Sequence, residues 1–235
     1  MKKLALALLL SVPMMVHASG MGFYIPVSVG DTSNLTVSED GLYADYDMTQ
    51  NYASTAGIGL VFDSNIGKDK LFNYRVALEY QSTTVDSTEA AGSTEDCNTY
   101  HCEKIRLNFV QTFGFGVLRT ETVRLWVGPR INMAWNSRSD STDIGSGYTF
   151  TESEYALELG IAPAVGINVN LGRLVSLGAD LDYRYAIASG AWDDFGSSGT
   201  YVGSTTGATA RFYVMFRFGE TFQPVAQTTA VDSSL

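Results

Sequence analysis

The last strand-like stretch of the chain alternates apolar and polar side chains with a period of two. In residues 208–218, Phe212 and Phe216 fall on an apolar face, and Arg211 and Arg217 fall on the opposite face. This period is typical of a β-strand with two different environments. A soluble sheet buries its apolar face, whereas a strand of a membrane barrel turns that face to lipid and its polar face inward. The rest of the chain distinguishes the two cases.

The same alternation recurs along the chain and predicts eight strands in all. Pro26 lacks the N–H of an interior ladder, which is a mark against the first of them. The predicted strands are residues 23–29, 56–62, 72–81, 105–117, 123–135, 155–169, 175–187 and 208–218.

The connections between these strands alternate between long and short. Long polar segments are predicted at 31–53, 82–104, 136–154 and 188–207, and short turns at 63–71, 119–122 and 170–174. Up-and-down barrels of bacterial outer membranes have this rhythm of connections and an even strand number. The alternative is a soluble barrel of the lipocalin kind, whose interior is apolar. The inward faces predicted here carry seven arginines, which favours the membrane barrel.

With these features the chain resembles the small outer-membrane β-barrel family, the OmpA-transmembrane and OmpX-like porin-fold group. The resemblance implies an all-β, eight-stranded antiparallel up-and-down transmembrane β-barrel over residues 19–218, with four long outward loops and three short periplasmic turns. In that family the barrel-assembly machinery recognises an aromatic residue that ends the last strand, and Phe218 fits this role. Residues 219–235 continue past it as a polar segment, which we expect to be a disordered periplasmic tail.

The N-terminus has the features of an export signal. Lys2 and Lys3 precede an apolar run over 4–12, and cleavage is expected after Ala18, which makes residues 1–18 a signal peptide. Cleavage removes two of the 15 basic residues and none of the 25 acidic ones, so the mature chain has a net charge of −12. This charge argues against nucleic acid as a partner.

Cys97 and Cys102 are the only cysteines, and they lie in a polar segment. In an exported protein we expect them to form a disulfide bond. The alternative is a metal site that recruits His101 and Glu103, but no second group of ligands is present to complete a tetrahedral site.

The inward faces are predicted to carry a network of charges that closes the lumen. Residues 79, 130, 182 and 211 are expected at a similar height, and small inward residues are expected to make room for the arginines. The network has two interpretations: polar side chains that fill the interior, or a gate whose ion pairs exchange. Its predicted members are Arg75, Glu79, Arg106, Arg124, Arg130, Glu158, Asp180, Asp182, Arg184, Arg211 and Arg217.

The long segments are acidic and contain aromatic residues. Within 30–54, 83–103, 136–153 and 189–207 there are 15 acids and one base, Arg138. The acids either solvate the surface or gather divalent cations that also bridge lipopolysaccharide phosphates. The aromatics are interpreted as interface girdle residues or as contacts for a surface ligand. They are Tyr43, Tyr46, Tyr52, Tyr148, Phe150, Trp192 and Tyr201.

These features predict a non-enzymatic outer-membrane protein with a structural or surface-interaction role. Its expected partners are outer-membrane lipid, lipopolysaccharide, the barrel-assembly machinery and an extracellular surface ligand. A narrow channel for small or cationic solutes is the alternative. A lipid-modifying enzyme is the third hypothesis, and it is disfavoured because His101 is the only histidine of the mature chain and lies in a loop. No catalytic, cofactor-binding or metal-binding residue is predicted.

Overall fold

The computed structural model describes residues 19–40, 45–64, 71–90, 93–96, 103–143, 149–194 and 197–218. The predicted signal peptide, the Cys97–Cys102 pair and the predicted tail lie outside these ranges. No helix in the described part of the chain is long and apolar enough to cross a membrane. The described residues form ten strands: β1 Ser19–Glu39, β2 Tyr46–Tyr52, β3 Thr55–Asp63, β4 Phe72–Ala90, β5 Ser93–Asp96, β6 Glu103–Arg119, β7 Val123–Asp143, β8 Thr149–Leu171, β9 Val175–Asp194 and β10 Ser197–Phe218.

Nine of these strands close into an antiparallel, up-and-down ring. Strand β1 pairs with β10 from Ser19↔Phe218 to Glu39↔Gly199, which joins the two ends of the sheet. Strands β2 and β3 each pair with both β1 and β4, so they follow one another at the same place in the ring. Strand β5 pairs with β4 outside the ring. The predicted all-β, up-and-down architecture and the pairing of the first and last strands are confirmed.

The two ends of the barrel differ. We call the end that carries Ser19, Thr120, Gly172 and Phe218 the turn end, because β6–β7 and β8–β9 are joined there by short connections. The opposite end, where Asp194 of β9 pairs with Ser197 of β10, is the loop end.

The segments predicted as long connections are for the most part strand. Strand β7 continues to Asp143 and β8 begins at Thr149, while β9 continues to Asp194 and β10 begins at Ser197. The prediction of long connections at 136–154 and 188–207 is therefore wrong for residues 136–143, 149–154, 188–194 and 197–207, which are strand. Its cause is physical: towards the loop end the outward face becomes polar, while the inward face mixes polar side chains with buried apolar ones such as Leu35 and Val37. The contrast on which the alternation depends therefore disappears.

A β-bulge in β1 decides which residues enter the barrel. The register with β10 shifts between Val29 and Thr32, and Gly30 adopts a φ of 65°. Glycine tolerates this left-handed conformation, and the extra residue reverses the faces of the strand. Val29 is 47% exposed, whereas Asp31, of the same parity, is only 8% exposed. The bulge therefore turns Asp31 into the lumen.

The barrel has a charged interior and an apolar outer surface. Arg130 is 1% exposed, whereas the outward Leu159 is 61% exposed. Pro26 does not disrupt this wall: β1 pairs with β3 at Tyr24↔Gly59 and again at Val27↔Ala56. The prediction of outward apolar and inward polar faces is confirmed for the strands.

Candidate functional site: the charged lumen

The alternation of side chains brings the predicted charges into the lumen. Each of the eleven predicted residues is at most 8% exposed. The structure adds four charged residues that we had assigned to connections, and all four are also buried: Asp31, Asp63, Lys104 and Glu154.

A cluster of buried charged side chains lies at mid-height in the lumen, and Asp180 is at its centre. Its carboxylate lies 2.9 Å from Nη1 of Arg75, 3.0 Å from Nη1 of Arg130 and 3.6 Å from Nη1 of Arg211. Three cations around one carboxylate compensate for its removal from water. The same carboxylate therefore links β4, β7 and β10 across the lumen.

Asp182 and Glu79 complete this central cluster. Both Arg130 and Arg211 form ion pairs with Asp182, and Arg211 also pairs with Glu79. Glu79 accepts a further hydrogen bond from Nδ2 of Asn108 at 2.9 Å. The four residues predicted to share one height therefore meet in one network.

Arg75 joins the central cluster to an aromatic clamp nearer the turn end. Its Nε and Nη2 donate to Oδ2 of Asp63 at 3.0 and 2.6 Å. Its guanidinium lies 4.9 Å from the ring centroid of Trp126 and 4.4 Å from that of Tyr213. Arginine is suited to such a site, because its planar group stacks on rings while its edge donates hydrogen bonds.

Small residues in the wall make room for the side chains of the lumen. A Cβ at Gly178 would overlap the ring of Tyr213, and a Cβ at Gly166 would overlap the ring of Trp126. Both spaces are taken by aromatic rings, although small residues of the sixth predicted strand, such as Gly166, were expected to make room for arginines. At Gly160 an added Cβ would lie 2.8 Å from Cβ of Ala186 and 3.2 Å from Cγ of Arg184, so an arginine is one of the neighbours there.

A second cluster lies nearer the loop end. Asp31 accepts hydrogen bonds from Nη1 of Arg106 at 3.5 Å and from Nη2 of Arg184 at 3.2 Å. Glu158 accepts from Nη2 of Arg106 at 2.5 Å and from Nδ2 of Asn136 at 2.7 Å. Two acids thus face two arginines, and the bulged strand β1 supplies one of the acids.

Lys104 and Glu154 form the outermost buried ion pair of the described lumen. Nζ of Lys104 lies 2.7 Å from Oε1 of Glu154 and donates to Oε1 of Gln50 at 3.1 Å. The hydroxyl of Tyr201 donates to Glu154 at 2.6 Å. Nζ also lies 5.5 Å from the ring centroid of Tyr52.

The environment of Glu154 favours its charged form. Glu154 lies beyond Tyr155, where the outward apolar residues of β8 end at the loop end. Burial by itself raises the pKa of this carboxyl, but the ammonium group of Lys104 and the hydrogen bonds from Lys104 and Tyr201 lower the pKa below its ordinary value.

Arg124 and Arg217 lie at the turn end of the lumen. Nη2 of Arg124 donates to Oδ1 of Asn73 at 3.2 Å, and Nη1 of Arg217 donates to the carbonyl of Gly172 at 3.1 Å. These contacts to an amide and a backbone carbonyl cap the turn end with hydrogen bonds.

Little space is left between these groups. A cavity of about 20 Å³ lies against Asp31, Lys104 and Glu158, and another of about 10 Å³ lies against Arg75 and Asp180. A single water molecule needs about 10 to 15 Å³. In this structure, neither cavity of the described lumen admits anything much larger than water.

The aromatic residues of the predicted loops have a different place from the one expected. Tyr201 is buried and donates to Glu154, so its interpretation as a girdle residue or surface contact is wrong. Tyr46 and Trp192 pack against the buried Leu35 and Val37. These side chains form an apolar layer above the Lys104–Glu154 pair. Tyr43 and Tyr148 lie outside the described residues.

Only some of the acids considered as cation ligands lie within the described residues. Within the described ranges, no three His, Cys, Asp or Glu side chains are grouped to hold a metal ion.

Of the four buried charges that were assigned to connections, the sequence contains a signal for only two. Asp31 follows Gly30, and an isolated glycine within a strand pattern is a signal for a bulge. Asp63 continues the inward parity of Gly59 and Val61, so its burial follows from extending the strand by one residue. Lys104 and Glu154 lie where both faces become polar, and no pattern identifies them.

The comparisons with known proteins concern the fold. No protein-family model matches the sequence, and no curated protein matches it. The outer membrane protein OprG from Pseudomonas aeruginosa is similar in structure, with a TM-score of 0.61 and 11% identity over 86% of this chain and 96% of OprG. The P. putida toluene transporter TodX was also found, with a TM-score of 0.19 and 6% identity over 86% of this chain and 91% of TodX. The first score indicates a shared barrel fold, and the second is too low to indicate one.

Proposed function

We propose that the protein is a non-enzymatic β-barrel of the bacterial outer membrane, with a structural or surface-interaction role. In this proposal the turn end faces the periplasm and the loop end faces the exterior. The likeness to the outer membrane protein OprG supports the location. The apolar outer surface supports it independently.

The height of the apolar surface fits a bilayer. On β6, outward apolar residues run from Ile105 to Val117. With about 3.3 Å per residue and a strand tilt of about 40°, this stretch is about 30 Å tall. The hydrocarbon core of a bilayer has a similar thickness.

The observation that carries the functional proposal is the filled lumen. Paired arginines and carboxylates meet across it at two heights, and two cavities between the described side chains measure about 20 and 10 Å³. A closed barrel is suited to act as a scaffold. The strand pairs at the loop end extend past the apolar surface, and their acids are available to lipopolysaccharide-bound cations or to a surface ligand.

Phe218 supports assembly by the barrel machinery. It ends β10, pairs with Ser19 and is 49% exposed on the outer surface. An outward aromatic at this place is accessible to a recognition factor before the barrel closes.

Two measurements test the proposal. Heat-modifiable gel migration of the membrane fraction reports a folded barrel, and planar bilayer recordings report conduction. We expect a shift in migration on heating and no conductance steps. A migration unchanged by heating would contradict the barrel, whereas clear conductance steps would contradict only the closed lumen.

A narrow channel is the second candidate, and one observation favours it. Asp180 lies within 3.6 Å of three arginine side chains, so an ion pair lost with one arginine can be replaced by another. Such exchange is what a gate requires. Arg211→Ala should then increase conductance, and the outward control Phe212→Ala should not; no increase in Arg211→Ala would leave the scaffold role.

A further inference from the structure

One polar side chain interrupts the apolar outer surface at mid-height. Gln111 lies on β6 midway between Ile105 and Val117, on the same outward face. It pairs with Val76 of β4 and Ile131 of β7. On the outward faces of the described strands between these heights, it is the one side chain that carries an amide. The alternation along β6 does not single it out, because its outward neighbours are apolar.

The amide of Gln111 is only partly satisfied within the chain. Its Oε1 accepts a hydrogen bond from the hydroxyl of Tyr74 at 2.9 Å. Its Nε2 donates to no described side chain, and the surrounding outward residues are apolar or aromatic. Phe113 packs against Tyr74 with ring centroids 5.2 Å apart, and Ile131 is 38% exposed.

Lipid does not supply the missing partner. The hydrocarbon core contains no hydrogen-bond acceptor, so an unsatisfied amide N–H there is unfavourable. Side chains of Gln and Asn at such depths form hydrogen bonds between membrane segments. The free donor therefore indicates a protein partner within the membrane.

We infer that the outer face around Gln111 is the interface of a homodimer within the membrane. An amide is self-complementary, because it carries two N–H donors and an oxygen with two lone pairs. Tyr74 occupies one lone pair and leaves the other available. Across a two-fold axis each Gln111 donates to the Oε1 of its counterpart, and the same surface serves both copies.

The aromatic residues beside Gln111 extend the contact surface. Phe72 lies 6.4 Å from Phe113 and 5.5 Å from Phe115, measured between ring centroids. These rings form a continuous patch on β4 and β6 between Gln111 and the turn end. The patch adds packing area beside the paired amides, and no charge on it opposes the approach of a second copy.

This inference rests on the proposed membrane location, and the test separates the two. Cys97 and Cys102 are first replaced by serine. A single cysteine is then introduced by Ile131→Cys, beside Gln111, or by Leu181→Cys, on the lipid-facing side of β9. Oxidation in native membranes should cross-link Ile131→Cys into dimers and leave Leu181→Cys monomeric. Heat-modifiable migration of each variant reports insertion.

Gln111→Leu provides the matched variant. An apolar residue of similar size suits a lipid-facing position, so the barrel should still fold. Removal of two reciprocal hydrogen bonds should weaken dimerisation by about tenfold or more, measured by sedimentation equilibrium in micelles. Equal dimerisation of wild type and Gln111→Leu would overturn the inference. The inference would also be overturned if both single-cysteine variants inserted but stayed monomeric, or if Ile131→Cys cross-linked only to a different protein. Either result would leave the membrane location intact.

Discussion

Oδ2 of Asp31 accepts a hydrogen bond at 3.2 Å from Nη2 of Arg184, although the two residues lie far apart in the chain. The contact exists because Gly30 reverses the faces of β1 immediately before Asp31. A single backbone irregularity thus supplies an anion to the cluster nearer the loop end.

Gly30→Ala should destabilise the barrel by about 1 to 2 kcal/mol. An alanine at a φ of 65° is strained, and relief of the strain would remove the bulge that holds Asp31 in the lumen. Gly30→Asn is the matched control and should lose less, because asparagine tolerates the left-handed region. The free energy of unfolding in urea, measured in micelles, checks both. Equal losses for the two variants would contradict a conformational origin.

Arg75→Ala should be among the most destabilising single substitutions, at about 3 to 5 kcal/mol. It leaves Asp63 and Asp180 buried with fewer partners and removes the group between Trp126 and Tyr213. Denaturant unfolding with tryptophan fluorescence measures the loss. Arg119→Ala, at an exposed position, should change stability by less than about 0.5 kcal/mol. Similar values for both arginines would show that the clamp contributes little.

Gly178→Ala should destabilise the barrel by about 1 to 3 kcal/mol, because its methyl group would overlap the ring of Tyr213. Combined with Tyr213→Ala, the same substitution should have almost no further effect, since the ring is gone. A double-mutant cycle on unfolding free energies measures this coupling. Additive effects would show that the methyl group destabilises the barrel through a contact other than the one with the ring of Tyr213.

The Lys104–Glu154 pair should make stability depend on pH. The pKa of Glu154 is lowered in the folded barrel, so its contribution is present above the pKa of the unfolded chain and is lost as pH falls through the folded pKa. Wild type should therefore lose stability more steeply than Glu154→Gln below about pH 4.3. Asp193→Asn, at an exposed position, should follow the wild-type curve. Parallel curves for wild type and Glu154→Gln would contradict the prediction.

The sequence predicts the fold well where the two faces of the sheet meet different surroundings. Phe212 and Arg211 alternate because one side chain faces an apolar exterior and the other a charged lumen, and strands with this contrast were found. Towards the loop end the contrast disappears, so β10 was predicted to begin at Ala208 although it begins at Ser197.

The candidate site divides in the same way. Arg130 and Asp182 could be predicted as lumen residues because parity alone places them. The position of Asp31 depends on a backbone bulge, and the partners of each arginine depend on the stagger between strands. The alternation along a single strand gives no information on the bulge or on the stagger between strands. The ion pairs could therefore be identified only from the structure.

The seam between β1 and β10 has a consequence for how the protein is made. Ser28 and Thr209, 181 residues apart in sequence, share a hydrogen bond across it. The ring therefore cannot close until the final strand has been synthesised, and closure requires a non-local contact of the kind that slows folding. Until then two strand edges are available for incorrect pairing. The nascent chain is thus most vulnerable to aggregation before its last strand arrives, and a factor that shields those edges would raise the yield of folded barrel.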